Sequence, residues 1–293
     1  MPAPAGFGDG DYRRGAALVA AGALLYSPDS LLIRLVGLEQ WPTMFWRGLL
    51  AGATITALLA VLHGRRYPAR LAALGPQGLA FGLVYVATTF CFVLAVRETS
   101  VGNTLFIVST SPVFSALISW AALGERPDRR TIRTIIIALA GVALIAFGGE
   151  AGGPNSLKGD LAALGAAFCL AASFVISRRA RPLSMTPALG PALLTAAAAA
   201  ACFVTDFTIP ETSLAPLLAM GLLAMPAATW CLTLGPRLIP AVEVSLIMLI
   251  EAVVGPLIVW WALSEYPGDM TLAGGAMILL ALAWSGIERL RAR

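Results

Sequence analysis

Apolar runs of about 18–23 residues, each long enough to cross a hydrocarbon core of roughly 30 Å as helix, follow one another along the chain. Ten such runs lie at 15–36, 41–62, 75–96, 101–123, 131–148, 160–177, 187–206, 214–235, 240–263 and 269–287. Gly and Pro inside them do not argue against helix, because neighbouring helices can satisfy the freed backbone groups in a membrane bundle. The first run is followed by more of the same kind, so it reads as a span and not as a cleaved signal peptide. The polar breaks are short. The longest, GGEAGGPNSLKGD at 148–160, is glycine-rich and has no room for a catalytic or nucleic-acid-binding domain. The pattern predicts an all-α integral membrane protein of ten transmembrane helices.

Composition agrees: the chain is 58% hydrophobic and 12% charged, against roughly 25% charged in a soluble domain. The charges alternate in density from one break to the next. Sixteen of the 20 Lys and Arg residues fall on one side, in the clusters Arg13–Arg14, Arg65–Arg70, Arg126–Arg133, Arg178–Arg181, Arg237 and Arg289–Arg293. The other side holds Arg34, Arg97 and Lys158, and Arg47 lies inside the second run. By the positive-inside rule both termini are expected in the cytoplasm. The arginines then face anionic lipid, and the basic balance calls for no nucleic-acid partner. Cys91, Cys169, Cys202 and Cys231 all sit in apolar runs without CxxC or Cys/His spacing, so they read as small buried hydrophobes. His63, the single histidine, stands beside Arg65 and reads as a surface residue. No cofactor or metal is implied.

The chain also repeats. ATTFCFVLAVR at 87–97 returns 140 residues later as AATWCLTLGPR at 227–237, and at the same offset WAALGERP at 120–127 returns as WWALSEYP at 260–267. That offset carries the third run onto the eighth and the fourth onto the ninth. Each copy is therefore five helices, expected at 1–148 and 149–293. Five is odd, so the second copy enters the membrane from the opposite side, giving two inverted-topology five-helix repeats. Secondary transporters use such repeats to build a site near the bilayer midplane that opens alternately to either side.

Two five-helix copies, each with a helix ending in Leu-x-Glu-x-Pro, resemble the EamA-type branch of the drug/metabolite transporter superfamily. The stretches are Leu123-Gly124-Glu125-Arg126-Pro127 and Leu263-Ser264-Glu265-Tyr266-Pro267. Arg47 early in the second helix and Ser111-Pro112 in the fourth match the same family. In the ninth helix Glu251 is present, but Ala252 stands where the family often has proline, so a kink there is not expected. Within the family the chain is similar to YddG-like exporters. The resemblance implies an inner-membrane carrier of bacteria that exports amino acids, aromatic ones among them, and other small amphipathic metabolites. A nucleotide-sugar or lipid translocase of the same fold is the alternative.

A charged side chain at the centre of a membrane helix costs roughly 2.5–3.5 kcal/mol on insertion scales, so each one requires a reason. Asp29 lies ~10 Å from the outer end of the first run and Arg47 ~9 Å into the second from that side, at about 1.5 Å per residue. The matched depths allow a pair, read either as a structural pin or as a carboxylate-binding and gating device. Tyr26 is expected to face another direction. Glu251, at the middle of the ninth run, either takes a substrate ammonium or a coupling proton, or is a protonated structural carboxyl; its counterpart in the other copy is Ser111. Tyr85 and Thr89, four apart on one helical face, add an aromatic with a polar tip and a hydroxyl, and Trp230 adds a further aromatic; the alternative is ordinary Ser/Thr helix glue. Glu243 reads as lining the inner mouth or capping a helix. An intramembrane enzyme would need a paired-acid or Ser/His cluster, a channel would need repeated filter residues, and an ATPase would need GxxxxGK[ST]. None of these is present in the sequence.

Overall fold

The computed structural model describes residues 9–98, 101–148, 157–181, 183–264 and 268–291, and among them every regular element is helical. Most of the glycine-rich break at 148–160 lies outside the described residues, as do Glu265, Tyr266 and Pro267. The first apolar run divides into α1 (Asp9–Tyr26) and α2 (Asp29–Val36), and the second is α3 (Gln40–His63). A short α4 (Tyr67–Ala72) leads into α5 (Gly75–Glu98). The fourth run divides into α6 (Val101–Val108) and α7 (Ser111–Leu123), and α8 (Arg129–Gly148) closes the first half. The second half runs α9 (Leu157–Arg179), α10 (Thr186–Ala201) and α11 (Glu211–Leu218). A π-helical stretch (Ala219–Ala224) then leads to α12 (Met225–Leu234), α13 (Ala241–Leu263) and α14 (Asp269–Arg291).

Among the described residues, seven helical stretches are long and apolar enough to cross a membrane: Gly10–Ile33, Gln40–Ala72, Gly75–Ala95, Phe106–Leu123, Leu157–Arg179, Glu211–Arg237 and Ala241–Leu263. Thr186–Ala201 and Leu272–Ser285 are shorter apolar helices, and α8 opens on Arg129, Arg130 and Arg133. The run expected to 206 stops at Ala201 because polar turn chemistry takes over. The Asp206 carboxylate accepts the Thr208 N–H at 2.9 Å and the Thr208 hydroxyl at 2.8 Å, an Asx turn that competes with helix. Exposed Val61, Leu83, Leu223, Leu280 and Trp261 put apolar side chains on the outside of the bundle, as contact with acyl chains requires.

The divided helices break where proline removes a backbone donor. At the first break Ser27 donates N–H and hydroxyl to Ala23 O at 3.0 and 2.9 Å, and the helix resumes with Leu32 N–H on Pro28 O. At the second, Thr110 closes a tighter turn on Ile107 O through both N–H (3.0 Å) and hydroxyl (2.6 Å), with Pro112 following. By contrast α13, with Ala252 in place of proline, runs unbroken through Glu251.

Helix packing respects the internal duplication. Exchanging α1–α2 with α9, α3 with α10, α5 with α11–α12, α6–α7 with α13 and α8 with α14 leaves the set of main neighbours unchanged. The pairs α3–α10, α8–α14 and α7–α13 map onto themselves, while α5–α9 maps onto α12–α1 and α7–α9 onto α13–α1. Small residues permit the close pairs. A Cβ on Gly48 would stand 3.2 Å from Ala197 Cβ, so small residues of GLLAGA at 48–53 and of the alanine run at 196–201 form the tight α3–α10 contact. A Cβ on Gly141 of α8 would meet Gly274 O of α14 at 2.8 Å.

Polar contacts sort the helix ends into two poles. At the first, Arg133 pairs with Glu288 at 2.7 Å, Arg178 with Glu125 at 2.8 Å, the Tyr67 hydroxyl donates to Pro187 O, and Arg237 donates to Arg181 O. At the second, Lys158 pairs with Glu98 at 2.9 Å, Gln40 donates to Val93 O, and Trp41 stacks on Phe203 at 4.7 Å.

Each half ends its fourth rod on a left-handed residue, Gly124 at φ 69° in the first and Ser264 at φ 57° in the second. A side chain is disfavoured in that conformation. Ser264→Gly should therefore raise stability by roughly 1 kcal/mol, read from the denaturant midpoint in detergent micelles. An unchanged or lowered midpoint would mean that the left-handed cap carries no strain.

Candidate functional site

Tyr26 and Asp29 stand three residues apart across the Ser27–Pro28 break, a spacing that puts two side chains on one helical face. Both turn to Arg47. Arg47 Nη2 donates to Asp29 Oδ2 at 3.0 Å and to the Tyr26 hydroxyl at 3.1 Å. Its guanidinium carbon lies 5.7 Å from the Tyr26 ring centroid, a cation–π distance. The expected Asp29–Arg47 pair is thus present, and Tyr26 belongs with it, which corrects the expectation that it faces elsewhere.

Two further elements bring their polar groups to the same place. Tyr85 of α5 packs in the same apolar cluster as Tyr26, and Phe81 stacks on it with centroids 5.8 Å apart. Glu251 of α13 lies within electrostatic reach of Asp29, Arg47 and Tyr26. Trp230 of α12 packs in the same apolar cluster as Tyr26 and Tyr85. Side chains from both halves of the chain therefore meet around one buried ion pair.

That pair is incompletely satisfied. Asp29 Oδ1 and Arg47 Nε are both buried, and neither has a hydrogen-bond partner among the described residues. A buried polar atom without a partner costs about 1–3 kcal/mol, and more for a charged group. The ion pair thus leaves one anionic acceptor and one cationic donor unmet, with Glu251 within electrostatic reach and the Tyr26 phenol on Arg47. This arrangement can receive a small solute that carries both a donor cation and an acceptor anion.

Other sequence candidates fall elsewhere. Ser111 is buried at the start of α7, but the polar bond between α7 and α13 runs from Ser115 to Ser245 and not from Ser111 to Glu251. The charged neighbours of Glu251 are Asp29 and Arg47, so it is not the single acidic residue of the interior. Thr89 donates to Tyr85 O at 3.0 Å and Thr229 to Met225 O at 2.7 Å. Both hydroxyls are engaged within their own helices, the ordinary membrane-helix arrangement. Glu243, in the first turn of α13, lines a separate cleft of about 400 Å³ between α1, α13 and α14, together with Tyr12, Arg13 and Ser285. Arg178, counted with the surface arginines by its position in the chain, is buried in its bond to Glu125. Spacing alone does not reveal this, because Glu125 and Arg178 belong to different halves. The four cysteines are unpaired thiols.

The sequence profile of the EamA-like transporter family matches residues 13–147 and again 157–287. No curated protein matches the chain. Among solved structures, one titled "Crystal structure of protein" is similar at a TM-score of 0.76 and 19% identity, covering 93% of this chain and 98% of that one. At that identity the likeness concerns the fold.

A lone buried charge left by removing one partner of the ion pair costs roughly 3–5 kcal/mol. Asp29→Asn and Arg47→Gln should each destabilise strongly, and the double variant should lose less than the two losses added, with a coupling of roughly 2 kcal/mol. Denaturant midpoints of the four proteins in micelles close the cycle. Additive losses would mean that the two charges do not depend on each other.

Proposed function

Because the chain belongs to the EamA-like transporter family and is a membrane transporter at that level, we propose that it exports small zwitterionic amphipathic metabolites, amino acids with aromatic side chains first among them. The observation that carries this reading is the buried pair of unmet atoms, Asp29 Oδ1 and Arg47 Nε, beside Glu251 and among Tyr26, Tyr85 and Trp230. The solute's carboxylate meets Arg47, its ammonium meets Asp29 or Glu251, and its apolar body lies on the aromatic rings. Binding energy comes from replacing unsatisfied buried groups with charge-assisted bonds, which are stronger than neutral ones.

The carrier works in this reading by alternating access. Ten transmembrane helices form two inverted five-helix repeats, residues 1–148 and 149–293, with the solute between them. The reading is supported by the family match in two segments of similar length and by a neighbour set that survives exchange of the halves. It is also supported by polar contacts that join helix ends predicted to share a side. Counting arginines then favours the cytoplasm for the first pole and both termini, and the resemblance to the exporters implies the inner membrane of a bacterium.

Glu251 sits where the halves meet, and its substitution tests the reading. Glu251→Gln keeps the volume and most of the hydrogen bonding but removes the charge and the exchangeable proton. Efflux of a radiolabelled aromatic amino acid from proteoliposomes of matched protein content should fall at least ~tenfold between about pH 5 and pH 8, with the variant still folded. Wild-type rates at every pH would take Glu251 out of the mechanism.

A further inference from the structure

The Leu-x-Glu-x-Pro stretch at the end of α7 has no part in the site above, yet its glutamate holds a buried arginine at the first pole. α7 ends at Gly124, whose N–H bonds Trp120 O at 3.1 Å, while Glu125 N–H reaches back to Ser119 O at 3.3 Å. The five-to-one bond at the left-handed glycine reverses the chain and turns Glu125 towards α9. There Arg178 donates to Glu125 Oε1 from Nη2 at 2.8 Å and from Nε at 3.1 Å. Arg178 is 3% exposed. Glu243, at the start of α13, and Arg181 act on the same guanidinium. The first half is thereby fastened to the second at one pole.

What lies behind the contact gives it a direction. Ser111, Ser115 and Ser119 follow at intervals of four along one face of α7, and all three are buried. The stripe starts at the break in the fourth rod and ends one turn short of Glu125. Ser119 Oγ at its end is buried with no hydrogen-bond partner among the described residues. The ion pair thus stands at the polar end of a hydroxyl-bearing face.

The contact is also built to part. Both guanidinium N–H groups converge on a single oxygen, and Glu125 Oε2 has no hydrogen-bond partner among the described residues. This is not the two-oxygen fork that makes Arg–carboxylate pairs strongest. In the sequence the other repeat carries the same residue types at matched positions. Glu265 follows the left-handed Ser264 as Glu125 follows Gly124. Arg34 and Arg178 stand equally far from the starts of the two matched family segments at residues 13 and 157.

We propose that Glu125 and Arg178 form the gate at the first pole, joined while the path is closed there and separated when it opens. The inference rests on the alternating-access reading, in which one pole must shut while the other opens, and it identifies the side chains that do so.

The test measures access to water and needs no substrate, so its failure is distinct from failure of the export reading. In the full chain with Cys91, Cys169, Cys202 and Cys231 replaced by alanine, S119C places a nearly isosteric thiol behind the pair. The rate of its reaction with a charged, water-soluble maleimide in micelles is the readout. E125Q should raise that rate roughly tenfold by shifting the population towards the open gate. The charge-reversed double variant E125R/R178E should bring it back towards the parent value. E125D, which keeps the charge but shortens its reach, should fall between. If E125Q elutes aggregated, E125D carries the test. Labelling in the folded acidic-site variants no faster than in the parent, or a double variant as fast as E125Q, would overturn the gate.

Discussion

An arginine and an aspartate facing each other inside an apolar helix bundle constrain everything around them. Each charge alone is costly in that medium, and together they hold only while their helices keep register. Arg47 is fixed on α3, which packs tightly on α10 through Gly48 and Ala197. Asp29 is the first residue after the Pro28 break, so its reach depends on how α1 hands over to α2. Tyr26, three residues before it, shares the same guanidinium across the break.

The remaining groups follow from the duplication. Packing that survives exchange of the halves brings α13 and α1 together just as it does α7 and α9. The first relation carries Glu251 to the ion pair, and the second carries Arg178 to Glu125. One geometric rule thus sets a charged cluster in the interior and a charged contact at a pole. The halves are alike in architecture but not in detail: the fourth rod is divided at Thr110 before Pro112, while α13, with Ala252 at the matching position, is one continuous helix. The π-helical stretch at Ala219–Ala224, between Pro216 and Pro226, is a further departure from the regular α5.

Much of this was legible in the residues. Runs of apolar side chains marked the helices because hydrophobic length is a one-dimensional property, and the echoes around Cys91 and Cys231 marked the repeat. Matched depth along two adjacent runs was enough to pair Asp29 with Arg47. What escaped depended on contacts between distant segments or on local backbone chemistry. Tyr26 was misdirected although its three-residue spacing from Asp29 puts both on one helical face; its partner, Arg47, belongs to another helix. Arg178 passed for a surface charge because a tally by position does not see burial. The end of α10 was placed beyond Ala201 because Phe203 and Val204 are apolar, although Asp206 and Thr208 close a turn there.

If the unmet atoms of the ion pair are where a zwitterion binds, both of its charges must matter at once. Counterflow in proteoliposomes preloaded with radiolabelled phenylalanine compares three competitors of nearly equal shape: unlabelled phenylalanine, its decarboxylated amine and its deaminated acid. Phenylalanine should drive exchange, while removing either charged group should weaken competition at least ~tenfold, the cost of leaving Arg47 Nε or Asp29 Oδ1 unpaired. An amine or an acid that competes as well as phenylalanine would contradict the account.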